Sequence, residues 1–353
     1  MTILHFINSF GEKRLGGAER NIYNLVKLIS NSSKEKNIIV SRNGIWIYCK
    51  NNNSFKKDLN KNFFLITEII KNIYKNNINN IHVHSNGHYI FLGYLIALII
   101  KCRLIIKITR VGEGSLINRN KDRLFNFKLS IKRLLFRYIC KSNLVYIHIM
   151  SISCLEILSS YSKKIIIFPN LIKRGYFDPN IKIKDSFLIS SRLIRRKNID
   201  LSLDNLINLN IKNIKIYVLG DGPEGSRLRK KYKNQSVSFL GYLEHENVYD
   251  FYKIAENFIN LSDSEGMSNS LIEAMSFGCK CIVSKILENI YTAKNYAIYY
   301  EKGDDFNSKI MESIKLKPKE ISNYANSKFS LDYFDSKKLG ELYKIDNSNF
   351  SSW

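Results

Sequence analysis

Two glutamates, Glu265 and Glu273, sit on either side of a short polar turn, and their spacing is the most informative chemical feature of the chain. The apolar run Phe258 to Leu261 reads as a strand that enters the turn Ser262 to Met267, with Gly266 inside it. Ser268 or Asn269 can then cap a helix, and Gly278 supplies its exit. Unpaired amides from Met267 through Ser268, Asn269 and Ser270 to Leu271, with the positive end of the helix dipole, form an anion site suited to a diphosphate. Glu265, just before the helix, can reach a hexose, and Glu273, two turns on, a ribose. Either glutamate alone more often marks a dipole partner or a solvated surface charge. Upstream, however, Ser190 to Asn198 follows another strand and brings Arg192 and Lys197 to the mouth of the same sheet. Two cations beside a helix N-terminus make a phosphate clamp.

The elements that must hold these residues form a regular rhythm. Thr2 to Ile7, Ile38 to Val40, Ile81 to His84, Leu104 to Thr109 and Tyr146 to Met150 read as strands with helical stretches between them. A second series follows at Ser186 to Ser190, Lys215 to Leu219, Ser236 to Leu240, Asn257 to Leu261, Lys280 to Ser284 and Ala297 to Tyr300. Alternation of this kind predicts α/β architecture with two doubly wound parallel sheets. Their junction falls between Pro169-Asn170 and Asp185, giving domains at 1–170 and 171–329, with a terminal helix near 330–353 that packs back on the first. Ligands of open α/β sheets bind at the carboxyl ends of the strands, so two units facing each other predict a cleft between them.

With 353 residues, 45% of them hydrophobic, the chain can bury two cores. The formal charge of +24 is unevenly placed: residues 1–180 hold 29 Lys and Arg against 9 Asp and Glu, and the remainder 26 against 22. The first half therefore suits an anionic partner. Arg119 to Lys141, with eight basic residues against one acidic, reads as a basic amphipathic helix for an anionic membrane surface, or as an ordinary solvated face. The apolar stretch Ser85 to Ile100 is too short to span a bilayer and reads as a buried helix. MTILHFINSF lacks the basic start and cleavage site of a signal peptide and reads as a first buried strand; the expected location is the cytoplasm. The six cysteines read as reduced core residues, and Cys279-Lys280-Cys281 lacks metal-ligand spacing.

Taken in order, the motifs resemble family 4 (group 1) of the retaining glycosyltransferases, which have the GT-B fold of two Rossmann-like domains across a cleft. Gly16-Gly17-Ala18-Glu19 is similar to the family's N-terminal glycine-rich loop, His82-Val83-His84-Ser85 to its HxH strand end, and Phe168-Pro169-Asn170 to its domain junction. Arg192 and Lys197 match its phosphate-binding pair, Leu219 to Pro223 its GDGP turn, Phe239-Leu240-Gly241 its FLG strand, and Glu265 to Glu273 its EX7E motif. The resemblance implies a nucleotide-sugar donor bound mainly by the second domain and an acceptor bound mainly by the first. It gives Arg192 and Lys197 the leaving diphosphate, without metal or other cofactor, Glu265 a donor-sugar hydroxyl and Glu273 the ribose. Gly16 and Gly17 would let backbone approach the ligand. Where many members carry a histidine in a THG-like turn, this chain has Thr109-Arg110-Val111, which makes Arg110 a candidate contact and His84 the next.

The expected reaction is retaining, metal-independent transfer of a hexose-type sugar to a glycan, lipid-linked in O-antigen, capsule or lipopolysaccharide synthesis, at the inner face of the cytoplasmic membrane. Another GT-B enzyme, an epimerase or a phosphorylase, is the alternative within enzymes. A basic nucleic-acid-binding protein is the alternative outside them, against which no recognition-helix, zinc-finger or RNP pattern is present.

Overall fold

A computed structural model describes residues 2–8, 10, 16–32, 35–42, 44–49, 55–58, 76–84, 87–109, 116, 127–333 and 336–343. It divides into two compact units, one of Met1–Leu171 with Asp335–Trp353 and one of Ile172–Phe334. Arg110 and residues 119–126 of the basic stretch lie outside the described residues.

The first unit is built on β1 (Thr2–Phe6), β2 (Lys36–Ser41), β3 (Gly44–Tyr48), β4 (Phe55–Asp58), β5 (Ile78–Val83), β6 (Arg103–Ile108), β7 (Val145–Ile149) and β8 (Ile165–Ile167). Their order is β4-β3-β2-β1-β5-β6-β7-β8, parallel throughout except that β3 and β4 add an antiparallel edge. Central strands covered on both faces read as continuous apolar runs, and Leu4, Phe6, Ile81, Val83, Leu104, Ile106 and Ile147 are buried in one cluster. The hairpin β2–β3 is absent from the rhythm read above, although the dipeptide Asn43-Gly44 between two apolar runs signals it. Trp46 of β3 is fully buried against Phe10, with ring centroids 5.0 Å apart.

Helix α1 (Gly17–Ser32) follows β1, α2 (Tyr89–Ile100) follows β5, and α3 (Phe127–Cys140) leads into β7. The expectation of a buried helix at Ser85 to Ile100 needs correction. Tyr89, Ile90, Gly93, Ile96 and Ala97 are buried, but Leu95, Leu98 and Ile99 on the other face are 58%, 45% and 77% exposed. No helix among the described residues is long and apolar enough to cross a membrane. None of the six cysteines is in a disulfide, and Cys49 is exposed, contrary to its reading as a core residue.

The second unit holds β9 (Ile183–Ser190), β10 (Lys215–Leu219), β11 (Val237–Gly241), β12 (Ala255–Asn260), β13 (Lys280–Ser284) and β14 (Ala297–Tyr300) in the order β11-β10-β9-β12-β13-β14, all parallel. This is doubly wound topology, with its switch point between β9 and β12; that of the first sheet lies between β1 and β5. Helix α4 (His245–Ile254) precedes β12, α5 (Asn269–Ser276) follows it, and α6 (Pro318–Phe329) packs on α5. The amide of Asn326 donates to the carbonyls of Gly175 at 3.0 Å and Ser276 at 3.2 Å, which fixes the far end of α5. Gly278 ends the turn after α5 at φ +71°, where a Cβ would meet the Phe177 ring at 2.4 Å, so the predicted exit admits only glycine.

Candidate functional site

At the second switch point, the loops after β9 and β12 are tied together. Asp263 N donates to Arg196 O at 2.9 Å, and the Asn198 amide donates to Leu261 O at 3.0 Å. The β9 loop is also held from below by the turn after β10: Leu193 N donates to Asp221 O at 3.0 Å and Glu224 N to Leu193 O at 3.1 Å. That close approach explains the GDGP sequence, because a Cβ at Gly220 would lie 1.9 Å from Ser191 O and one at Gly222 2.4 Å from Leu193 O. Leu193, fully buried, anchors the loop, and Arg192 beside it is exposed.

Lys197 ends a short 3-10 turn, and its ammonium forms an ion pair with Glu265 Oε1. Both side chains are mostly buried. Glu265 also accepts from the Asn260 amide at 3.3 Å, while Arg196 donates to Ser264 O at 2.8 Å with its guanidinium 4.0 Å from Glu265 Oε2. Asn260 in turn donates to Ser268 Oγ at 3.1 Å. Ser268 is the residue that caps α5: its hydroxyl accepts from Leu271 N, 3.4 Å away. The amide of Leu271 is therefore not unpaired, which corrects the expectation of open amides over Met267 to Leu271. The Ser270 hydroxyl lies 3.1 Å from that of Ser268.

Glu273, on the next turn of α5, is buried and accepts from His245 Nε2 at 2.9 Å. His245 opens α4 and packs edge-on against Tyr249. Behind it, burial and then the Glu273 carboxylate hold the Tyr252 phenol well above its usual pKa. Sequence reading singled out neither His245 nor Asn260, since a histidine after a turn and an asparagine in a strand carry no pattern of their own.

The first switch point is unusual for a sheet interior because it is polar. His5, His82, His84 and His148 are all buried, with Lys107 and Asn37. His148 Nε2 lies 2.8 Å from the carbonyl of Phe168, which can only accept, so this nitrogen carries the proton. Its bare Nδ1 then accepts from His82 Nε2 at 3.1 Å, and His82 Nδ1 accepts from the Tyr343 hydroxyl at 2.6 Å. Tyr343 belongs to the terminal helix α7 (Ser336–Tyr343), which thus supplies a partner to the core of the first unit. Burial pushes the pKa of His5 down to about 4 and that of His148 to about 3, and takes those of His82 and His84 well below the usual value. Lys107 donates to Asn170 Oδ1 at 2.9 Å, and burial lowers its pKa to about 7. Phe168-Pro169-Asn170 therefore supplies acceptors to His148 and Lys107. Nitrogens of His5, His82 and His84 lie within 4.8 Å of one another, a spacing that suits a cation, but all except His84 Nδ1 already have hydrogen-bond partners.

Comparison with known proteins shows what the second cluster resembles. Residues 177–328 match the family model described as glycosyl transferases group 1. This stretch is similar to the group 1 glycosyl transferases. A segment of 134 residues is 29% identical to the phosphatidylinositol N-acetylglucosaminyltransferase gpi3 subunit of Schizosaccharomyces pombe, covering 35% of this chain and 29% of that protein. Another of 143 residues is 26% identical to the alpha-monoglucosyldiacylglycerol synthase of Streptococcus pneumoniae, covering 39% and 30%. The matches thus span less than a third of these relatives' length. In fold, the chain is similar to Anabaena Alr3699/HepE, solved with UDP-glucose, at a TM-score of 0.73 with 12% identity over 98% of this chain and 100% of that one. The sucrose-phosphate synthase of Thermosynechococcus elongatus gives a TM-score of 0.70 with 14% identity over 97% and 98%. Two α/β units with parallel sheets and these neighbours define the GT-B architecture.

Arg192, Lys197, Glu265, Gly266, Met267, Ser268, Asn269, Ser270, Leu271 and Glu273 all lie inside the matched stretch 177–328, and Lys197, Glu265 and Ser268 share one hydrogen-bonded cluster there. Gly16, Gly17 and His84 lie outside it in the first unit. Gly16 and Gly17 are exposed at the start of α1, and His84 is buried at the end of β5.

Proposed function

We propose that the protein transfers a hexose-type sugar from a nucleoside-diphosphate sugar to a lipid-linked glycan, with retention of anomeric configuration and without a metal. The setting we propose is surface-polysaccharide synthesis at the inner face of the cytoplasmic membrane. The observation that carries this reading is the Lys197–Glu265 pair beside the capped start of α5, within the matched stretch and at the switch point of its sheet. A diphosphate arriving at this helix start meets the exposed Arg192 and can draw the Lys197 ammonium from its carboxylate, which leaves Glu265 to accept from a sugar hydroxyl. Two fixed cations supply the charge that a divalent ion contributes elsewhere. With the leaving phosphate taking the acceptor proton, the protein's part is positioning and electrostatic stabilisation.

A lipid-borne acceptor is supported by the outer faces of two helices of the first unit. On α3, Ile131, Leu134, Leu135 and Tyr138 are exposed together with Lys128, Lys132 and Arg137; on α2, Leu95, Leu98 and Ile99 are exposed. Two of the matched relatives carry lipids in their names, a phosphatidylinositol N-acetylglucosaminyltransferase subunit and a monoglucosyldiacylglycerol synthase. The decisive experiment is a thermal-shift panel of UDP-glucose, UDP-N-acetylglucosamine and GDP-mannose, repeated in EDTA. A donor at 100 times its dissociation constant adds about 2.7 kcal/mol of stability. Stabilisation by at least one donor, unchanged by EDTA, is expected. Indifference to all such donors would overturn the donor site, and dependence on magnesium or manganese would overturn metal independence.

A further inference from the structure

The histidine cluster of the first unit has one open end. His5 Nε2 lies 3.1 Å from Asn37 Oδ1, and the amide of Asn37 is oriented by its own donation to Ser30 Oγ at 3.1 Å. His5 Nε2 is therefore the protonated nitrogen and Nδ1 the acceptor. His84 Nε2, 3.1 Å from His5 Nδ1, must then be the donor, which leaves His84 Nδ1 a bare lone pair. That atom is buried and has no hydrogen-bond partner among the described residues. A buried acceptor left unsatisfied is destabilising unless a ligand fills it. His84 stands where β5 leaves the sheet, beside β1, at the switch point where ligands of this topology bind.

We propose that His5 and Asn37 are positioning residues: through the chain Ser30–Asn37–His5 they hold His84 as the Nε2–H tautomer, so that Nδ1 accepts a hydroxyl of a sugar ligand. This deepens the transferase reading and rests on it. The tautomer cannot reverse cheaply, because a proton moved to His84 Nδ1 would leave bare Nε2 facing the bare Nδ1 of His5. Moving the His5 proton to Nδ1 to supply a donor would leave bare Nε2 facing the Asn37 Oδ1 acceptor. A second chain, from Tyr343 through His82 and His148 to the Phe168 carbonyl, runs beside it with every nitrogen satisfied. Only the His84 chain ends in an unfilled acceptor.

The test is a ¹⁵N spectrum of the whole protein labelled at histidine. His84 is expected to show a protonated Nε2 and a bare Nδ1, and the Nδ1 signal to move when a sugar binds. UDP-glucose against UDP alone reports the donor sugar, and octyl glucoside reports an acceptor sugar. In Asn37→Leu and His5→Phe, kcat for donor turnover should fall roughly ten- to a hundredfold with KM within about threefold, and His84 should become a mixture of tautomers. A protonated Nδ1 in the wild type, or an Nδ1 signal indifferent to both sugars, overturns the inference. So does a variant that keeps its kcat. If the variants fail to fold, the wild-type spectra still decide. Absence of donor stabilisation in the thermal-shift panel is a separate failure, that of the donor site, and leaves the tautomer measurement standing.

Discussion

The imidazole of His245 donates to Glu273 Oε1 across 2.9 Å, joining the first residue of α4 to the buried carboxylate on α5. The contact fixes the direction in which Glu273 offers its oxygens. If Glu273 holds the ribose, His245→Ala should weaken nucleotide-sugar binding by roughly five- to tenfold through loss of preorganisation, and Glu273→Gln by roughly ten- to a hundredfold. Titration calorimetry with the donor that stabilises the wild type measures both. Equal affinity in wild type and Glu273→Gln would remove Glu273 from the donor site.

The cations of the β9 loop are expected to act on the departing diphosphate. Arg192→Ala and Lys197→Ala should each lower kcat/KM by roughly two to four decades, the scale of one preorganised electrostatic contact. Steady-state assay of released nucleoside diphosphate reads this directly. Wild-type turnover in both variants would sink the clamp.

The buried histidines make stability depend on pH in a defined direction. Their folded-state pKa values lie below the usual 6.5, so below that pH the unfolded chain binds more protons and stability falls with acidification. The loss should begin near pH 6.5 and continue toward about 4 for His5 and about 3 for His148. At pH 5 each of these two contributes about 2 kcal/mol of destabilisation. Urea unfolding at pH 7 and pH 5 measures the difference. A His5→Phe variant that folds should lose part of this dependence, and a wild type equally stable at both pH values would contradict the burial argument.

For the membrane face, each Lys or Arg near an anionic surface contributes about 1 kcal/mol, screened within about 8 Å at physiological salt. Sedimentation with phosphatidylglycerol vesicles should therefore fall steeply as salt rises, and phosphatidylcholine vesicles should retain little protein. Replacing Lys128, Lys132, Arg133 and Arg137 together by Gln should release the protein while leaving donor affinity unchanged. Parent-like retention of this variant would show that α3 is an ordinary solvated face.

Much of the architecture is written locally. Strands covered on both sides appear as uninterrupted apolar runs, so the parallel strands from Thr2–Phe6 to Ala297–Tyr300 are legible apart from the three-residue edge β8, as are the helices between them. The capping serine at 268 is also local, since it depends on a few adjacent backbone groups; the glycines at 220, 222 and 278 are legible as turn residues, but what excludes a side chain there, Ser191, Leu193 and the Phe177 ring, is distant in sequence. Tertiary structure alone decided the rest. Lys197 meets Glu265 across 68 positions, His5 meets His84 across 79, and Tyr343 reaches His82 across 261. The exposure of Leu98 and Ile99 on α2 was likewise invisible, because an all-apolar helix has no periodicity to say which face is covered. A polar residue inside a strand has no periodicity either; its partner, its tautomer and its charge are set by whichever distant strand the sheet order places beside it.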